Sequence, residues 1–252
     1  MTGDHVLLSI EDGIARVTLD RAGSRNALNL PMCLALRDTF AALDAQPDIR
    51  VVLLSANGPV FCAGADLKER QGKDEAWVRA RRLAAFAAYE TIERCSKPTV
   101  AVVDGPVVGS GGEIAMACDI ILASAKATFR FPEPQWGTVG ATQRLQRVVG
   151  KRRAKELLFT GRIMPAAEAY ALGLVGRLVE DVAAEGETVA AAIAKAPPLA
   201  MALTKQAVEL GEEVPLATGV RIELAQIERL LADGSWRKGI ESFAAAVGKD
   251  DR

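Results

Sequence analysis

VAVVDGPVVGSGGEIAMACD, residues 100–119, is the stretch whose reading decides the fold. Val100 to Val103 reads as a buried strand, Asp104-Gly105-Pro106 as a turn, and Gly109-Ser110-Gly111-Gly112 as a glycine-rich loop. The loop opens a short apolar helix beginning near Gly111. With so little side chain between Gly109 and Gly112, backbone N–H groups can come within hydrogen-bonding reach of a ligand. The N-terminus of the helix adds a partial positive charge at the same point, which favours a developing anion. Glu113 falls in that first turn, beside Ile114, Ala115 and Met116, whose apolarity predicts a buried helix. A buried carboxylate is costly unless it is hydrogen-bonded or put to use, so Glu113 is the first candidate functional residue.

Toward the N-terminus, Val6–Ile10 and Ile14–Leu19 flank Glu11-Asp12-Gly13 and predict a β-hairpin. Arg21 to Asn26 is a polar, basic loop. Asn29 suits an N-cap and Pro31 a first turn, so a helix is predicted to run to about Ala45. Val51–Leu54 is a short buried strand, broken by Asn57-Gly58-Pro59. A second small-residue loop follows at Phe61-Cys62-Ala63-Gly64-Ala65, and then an amphipathic helix from about Asp74 to Arg94.

Toward the C-terminus, Ile120–Ala123 and Thr128–Phe131 are predicted strands, leading to Pro132-Glu133-Pro134. The remainder reads as almost wholly helical: Gln143–Val149, Arg153–Phe159, Ala166–Leu172, Val182–Ala196, Leu199–Leu210, Leu216–Ala232 and Trp236–Val247. Alternating strands and helices followed by accumulating helices predict an α/β class with a helical C-terminal section. No long repeat, low-complexity tract or charge block marks a linker.

The chain of 252 residues is long enough for one large domain, or a core with a smaller appendage. With 31 basic and 32 acidic residues, a net charge of −1 gives no global field to attract nucleic acid or a membrane surface. No apolar run reaches spanning length, and MTGDHVLL lacks the pattern of a signal peptide, so a soluble cytoplasmic protein is expected. Cys33, Cys62, Cys95 and Cys118 show no CxxC spacing and read as reduced packing thiols. His5, the sole histidine, sits near the N-terminus in what reads as the first strand. A His-dependent nucleophile or a His-ligated metal would have to use it alone, so acid–base work falls to carboxylates, lysine or tyrosine.

The loops at Ala63-Gly64-Ala65 and Gly109–Gly112 both follow a buried strand and precede a helix. Ligands in open α/β sheets collect at the carboxyl ends of strands. Two such loops side by side can present two N–H donors to one oxygen, the layout of an oxyanion hole; singly, each reads as a tight packing turn. A second carboxylate, Glu133, stands between two prolines and near Phe129, Phe131 and Trp136. An apolar setting would raise its pKa, whereas the helix N-terminus favours the charged form of Glu113. Two carboxylates in unequal environments are how a site obtains an acid and a base at one pH.

A dinucleotide site is disfavoured because Gly109, Gly111 and Ile114 fail GxGxxG at its third glycine. A non-catalytic RNA-binding role fits poorly with the near-neutral charge.

Phe61-Cys62-Ala63-Gly64-Ala65-Asp66-Leu67-Lys68, the glycine-rich turn with Glu113 and Cys118-Asp119, Pro132-Glu133 and Thr142-Gln143-Arg144-Leu145 form an ordered set. With Leu158-Phe159-Thr160-Gly161-Arg162, Ala171-Leu172-Gly173-Leu174-Val175 and Lys238-Gly239-Ile240-Glu241-Ser242-Phe243, this set resembles the enoyl-CoA hydratase/isomerase (crotonase) family over nearly the whole chain. The resemblance implies a crotonase (ClpP-like) spiral of ββα units over residues 1–195, and a helical trimerisation region over 196–252. It further implies a homotrimer or a hexamer of two trimers, an acyl-CoA ligand of the kind handled in fatty-acid metabolism, and no metal or redox cofactor.

By the same resemblance, the N–H groups of Ala65 and Ser110 match the oxyanion hole, and Glu113 and Glu133 match the two glutamates that add water to a trans-2-enoyl-CoA. Isomerase, dehydratase and hydrolase activities share the same oxyanion hole within the family. Ala63, Asp66, Leu67 and Lys68 match the CoA-binding segment, Gly109 lies in the oxyanion turn, and Arg25 and Lys68 are candidates for the phosphates. Two departures stand out. Ser110 replaces the usual glycine, which raises the prospect of a crowded thioester or a shifted φ. The loop Gly137–Ala141 reaches Thr142 sooner than in the family, and Trp136 beside it is a candidate for selecting a bulkier acyl group.

Overall fold

The computed structural model describes residues 5–237 and 239–241. The predicted hairpin forms as β1 (Val6–Glu11) and β2 (Ile14–Leu19), paired antiparallel. Asp12 and Gly13 both take positive φ, 51° and 76°, as a tight hairpin turn with the native strand twist requires. His5 lies outside this hairpin: it sits at φ 75° in a turn before β1, a correction to its expected strand position. Helix α1 (Leu30–Asp44) starts where Asn29 Oδ1 accepts the Met32 N–H at 3.0 Å, satisfying one of the orphan donors of the first turn. Its buried face, Met32, Cys33, Leu36, Phe40 and Leu43, recurs at helical period.

The chain then alternates between sheet and helix through β3 (Val51–Ala56), α2 (Glu75–Glu93), β4 (Thr99–Val103), β5 (Pro106–Val108) and α3 (Ser110–Met116). Asp74 caps α2 through a 2.8 Å bond from the Trp77 N–H. Next come β6 (Ile120–Ser124), β7 (Thr128–Arg130), α4 (Thr142–Val149), α5 (Lys151–Thr160), β8 (Met164–Pro165), α6 (Ala166–Ala171), β9 (Arg177–Val179) and α7 (Val182–Ala194). A six-stranded sheet runs β1-β2-β3-β4-β6-β9, and a three-stranded sheet runs β5-β7-β8. The strand pairs β4/β5 and β6/β7 therefore step from the large sheet into the small one, with α3 packed after the first.

Strand β4 is buried along its whole length because both faces are covered. Val100 and Val102 pack with Val182, Val189 and Ala190 of α7, while Ala101 and Val103 face the larger core with Phe40, Phe129 and Phe131. Three short strands escape the sequence reading. Pro106, assigned to a turn, begins β5, and β8 and β9 interrupt the expected helical run. They span only two or three residues and depend on partners far along the chain, so no local periodicity announces them.

Asp119 fastens the far end of α3. Its Oδ2 accepts the Thr99 N–H at 2.7 Å and the Lys205 ammonium at 2.9 Å, joining the start of β4 to the C-terminal helices. Those helices, α8 (Pro198–Glu212) and α9 (Leu216–Asp233), pack chiefly on each other. The predicted helix Trp236–Val247 and the motif ending Ser242-Phe243 lie partly outside the described residues; Trp236, Arg237 and residues 239–241 are helical. Among the described residues no helix is long and apolar enough to cross a membrane.

Candidate active site

The two small-residue loops meet because the chain lays one beside the other. Cys62 bridges Val107 in parallel, with the Cys62 N–H donating to Pro106 O at 3.3 Å and the Val108 N–H to Cys62 O at 2.9 Å. On its other side the same segment is held by Leu28, which donates to Gly64 O and accepts from the Asp66 N–H, both at 2.8 Å. Ala65, between those two anchors, turns its own N–H the opposite way, as pleated backbone must. Gly64 takes φ 90°, and a Cβ there would stand 2.9 Å from Val108 O and 3.8 Å from Ser110 N. Only a residue without a side chain lets the loops approach so closely.

Ser110 is the first residue of α3, and its φ is not positive. The left-handed strain of this turn falls on Gly109 instead, at φ 50° and ψ −112°. The serine thus sits in ordinary helical backbone. Among the described residues, neither the Ala65 N–H nor the Ser110 N–H has a protein acceptor. Both residues line one cleft. Unpaired backbone donors beside a cavity are a ready receptor for an oxygen that gains charge.

Glu113 and Glu133 line the same cleft. Glu113 is 6% exposed and both its oxygens are acceptors. Oε1 takes the Ala141 N–H at 2.7 Å and Oε2 takes Arg144 Nη1 at 3.0 Å. Arg144 is fixed in turn by a fork onto Glu93, at 2.9 and 2.6 Å. Ala141 reaches Glu113 by taking φ 54°, uncommon for a residue with a Cβ, while fully buried at the start of α4.

Glu133 is treated differently. Its Oε2 is buried without a hydrogen-bond partner among the described residues. Burial pushes its carboxyl above the usual carboxylate range; the neighbouring Glu113 charge adds to this and Arg82 opposes it. Gly109 presses on it so closely that a Cβ there would lie 2.9 Å from Glu133 Oε1. In the loop that follows, the Thr138 N–H donates to Glu133 O at 3.0 Å, and Arg82 donates to Thr138 Oγ1 at 2.6 Å and Val139 O at 2.9 Å.

Of the other sequence-derived candidates, Ala63, Leu67, Gly109 and Trp136 also line the cleft, Trp136 being 65% exposed. Arg25, Asp66 and Lys68 do not line it. Asp66 is 7% exposed and occupied by Arg21 at 2.7 Å and the Lys68 N–H at 3.0 Å, an internal clamp on the loop. Arg25 is exposed, and its carbonyl accepts the Ala63 N–H at 3.0 Å. Lys68 is exposed in the turn Lys68–Arg70.

Sequence reasoning assigned no role to Arg144, Ala141, Arg70, Arg82 or Tyr89. Arg144 lies within the quoted Thr142-Gln143-Arg144-Leu145 run, the one signal that pointed toward it. The four cysteines are free and buried. Burial pushes the thiols of Cys33 and Cys95 up to about 11 and that of Cys62 to about 12. Among the described residues no group of three or more His, Cys, Asp or Glu side chains comes together to hold a metal ion.

The stepped sheets, with two strand-end turns opening on a shared cleft, have the architecture of the crotonase fold. A solved enoyl-CoA hydratase from Bacillus anthracis superposes with a TM-score of 0.92 at 31% identity, over 95% of each chain. The chain belongs to the enoyl-CoA hydratase/isomerase family, whose model matches residues 9–247. A probable enoyl-CoA hydratase of Rhizobium meliloti is 36% identical over 250 residues, covering 97% of this chain and 96% of the relative. A structure from Thermobifida fusca, described as a putative enoyl-CoA hydratase in complex with CoA, aligns with TM-score 0.84 at 29% identity over 93% of this chain and 98% of that one.

Proposed function

We propose that the protein is an enoyl-CoA hydratase, adding water in syn fashion across the double bond of a trans-2-enoyl-CoA. One observation carries this reading: the two carboxyls of the cleft are held in opposite states of readiness. Glu113 accepts on both oxygens, whereas Glu133 keeps a buried oxygen unpartnered and burial raises its pKa.

The thioester oxygen would sit between the N–H groups of Ala65 and Ser110, which polarise the carbonyl and hold the enolate. Glu113 takes a proton from a water as its oxygen bonds to the β-carbon, and the π-electrons move onto the thioester oxygen. As the enolate collapses, Glu133 gives its proton to the α-carbon. Proton exchange between the two carboxyls, through solvent, restores the starting state. The proposed steps move only protons and electron pairs among substrate, water and two carboxyls and call for no metal or redox cofactor; a chelator is expected to leave the rate unchanged.

Loss of enoyl-thioester absorbance on mixing with crotonyl-CoA tests the reaction. Glu113→Gln and Glu133→Gln are each expected to slow it by roughly 10²–10⁴-fold, the range for positioned acid–base groups. Equal rates in all three proteins would end the proposal. Because Glu113 is so fully engaged, a second reading follows, in which Glu133 alone shuttles a proton between C2 and C4 as a Δ3,Δ2-enoyl-CoA isomerase. Conversion of a 3-enoyl-CoA without hydration would favour it.

Assembly as a trimer, or as two stacked trimers, is part of the proposal. Leu216, Val220, Leu224, Ile227 and Leu231 form an exposed apolar stripe along α9. Sedimentation at three or six times the 26.7 kDa chain mass is expected. The buried, unpaired thiols fit the reducing environment of the cytoplasm.

A further inference from the structure

One wall of the cleft carries more positive charge than the proposed reaction uses. Arg70, Arg81 and Arg82 all line it. Arg81 is 2% exposed and fully engaged, binding Glu69 at 2.7 Å and the carbonyl of Leu28. Arg82 is occupied with the loop after Glu133, through Thr138 and Val139. Arg70 differs from both. Its Nε is buried with no partner among the described residues. The nearest acid, Glu69, is already taken by Arg81 and by the Leu30 N–H at 2.9 Å.

Burial, with Arg81 and Arg82 alongside, pushes the Arg70 guanidinium below its ordinary value, and Glu69 offsets this only in part. A buried donor left unmade is expensive, and a guanidinium among like charges more so. Arg82 holds Thr138, whose N–H donates to Glu133 O, so the arginine wall adjoins the loop that carries the acid rather than lying at a remote end of the cleft. Ala85 and Phe86 of α2 and Val139 supply apolar surface in the same cleft.

We propose that the acyl group received here is short and ends in a carboxylate, which the Arg70 guanidinium binds. The proposal rests on the hydratase reading, which puts the β-carbon beside Glu133 and so directs its substituent toward this wall. A carboxylate would complete the Nε donor and offset the excess positive charge. A methyl-terminated chain of equal length would leave that donor buried and unmade. The planar fork of arginine suits a carboxylate, and charge-assisted hydrogen bonds of this kind are among the strongest available to a side chain. The other source of anionic oxygen in the ligand, the phosphates of CoA, makes a different prediction and is separated below.

The test uses the full chain with two pairs of thioesters. Crotonyl-CoA and glutaconyl-CoA share the reacting carbons and differ by a terminal carboxylate; butyryl-CoA and glutaryl-CoA are the saturated counterparts for equilibrium binding. Wild type is expected to prefer glutaconyl-CoA in kcat/KM, and glutaryl-CoA in affinity, by about 10- to 100-fold. Arg70→Met should erase both preferences while leaving crotonyl-CoA turnover and inhibition by free CoA unchanged, and Arg70→Lys should restore part of them. No preference in the wild type, or equal losses on both substrates in Arg70→Met, would overturn the proposal. Weakened inhibition by free CoA in Arg70→Met would overturn it by giving Arg70 to the phosphates.

The binding pair requires no variant to fold and no turnover. A preference for glutaryl-CoA without hydration of any enoyl thioester would sink the hydratase reading while keeping the carboxylate site. Hydration with no preference would do the reverse.

Discussion

The turn that opens α3 and the loop that follows β7 each deliver one carboxyl group to the same cleft, by different means. The α3 turn belongs to the core. Its helix is buried, its far end is tied through Asp119 to β4 and α8, and Glu113 is gripped by Ala141 and by an arginine that is itself gripped. The loop after β7 is held by Arg82 through Thr138 and Val139, yet Glu133 keeps a buried oxygen without a partner among the described residues. The contrast teaches that one protein can set two carboxyls apart by giving hydrogen bonds to one and withholding them from the other.

The largest way to break the contrast is to remove both groups. Glu113→Gln/Glu133→Gln together should fall little below the worse single variant in kcat, because a base and an acid acting in one sequence are not additive. A multiplicative loss would mean that the two act independently. Removing the grip on Glu113 comes next. Arg144→Leu strands Glu93 and halves the support of Glu113, at an expected cost of about 3 kcal/mol in urea unfolding, with kcat down by about 10-fold or more.

The pH dependence sharpens the comparison further. Hydration should decline as pH rises through the elevated Glu133 value, because the acid is then lost, and this limb should vanish in Glu133→Gln. Stability moves with it. The folded state holds the Glu133 proton more tightly than the unfolded chain, so the contribution of this group is fully present below the unfolded carboxylate value. It is lost as pH rises through the folded one. Glu133→Gln should therefore raise Tm at neutral pH, with the gain fading in acid, at the expense of activity. The smallest effect serves as a control outside both regions. Asp181→Ala removes the cap of α7, a 3.0 Å bond from the Ala184 N–H, and should cost about 1 kcal/mol with kcat unchanged.

Much of the fold was legible where physics is local. Asn29 announced the start of α1 as an N-cap, the amphipathic run from about Asp74 announced α2, and the Val100–Val103 run declared a buried strand. β5, β8 and β9 were not legible, because strands so short exist only through their partners. At the site, small residues and apolar neighbours pointed to the two loops, Glu113 and Glu133, and the resemblance singled out Ala65 and Ser110 within those loops; all four residues line one cleft. Asp66 and Lys68 came from the resemblance, and Arg25 and Lys68 from charge and sequence position, neither of which says where a side chain points; Arg21 holds Asp66. Arg144 and Ala141 act on Glu113 across about thirty residues of chain, a link visible only after folding. The strain expected at Ser110 was carried by Gly109, one residue earlier, because a helix begins between them.

The donors in the Ala65 and Ser110 turns are atoms that every amino acid except proline supplies. A saturation scan of this gene would therefore register those two codons mainly through bulk and backbone fit. On the proposed mechanism, their contribution to rate would stay nearly silent until an amide-to-ester replacement, made by semisynthesis, took the hydrogen itself away.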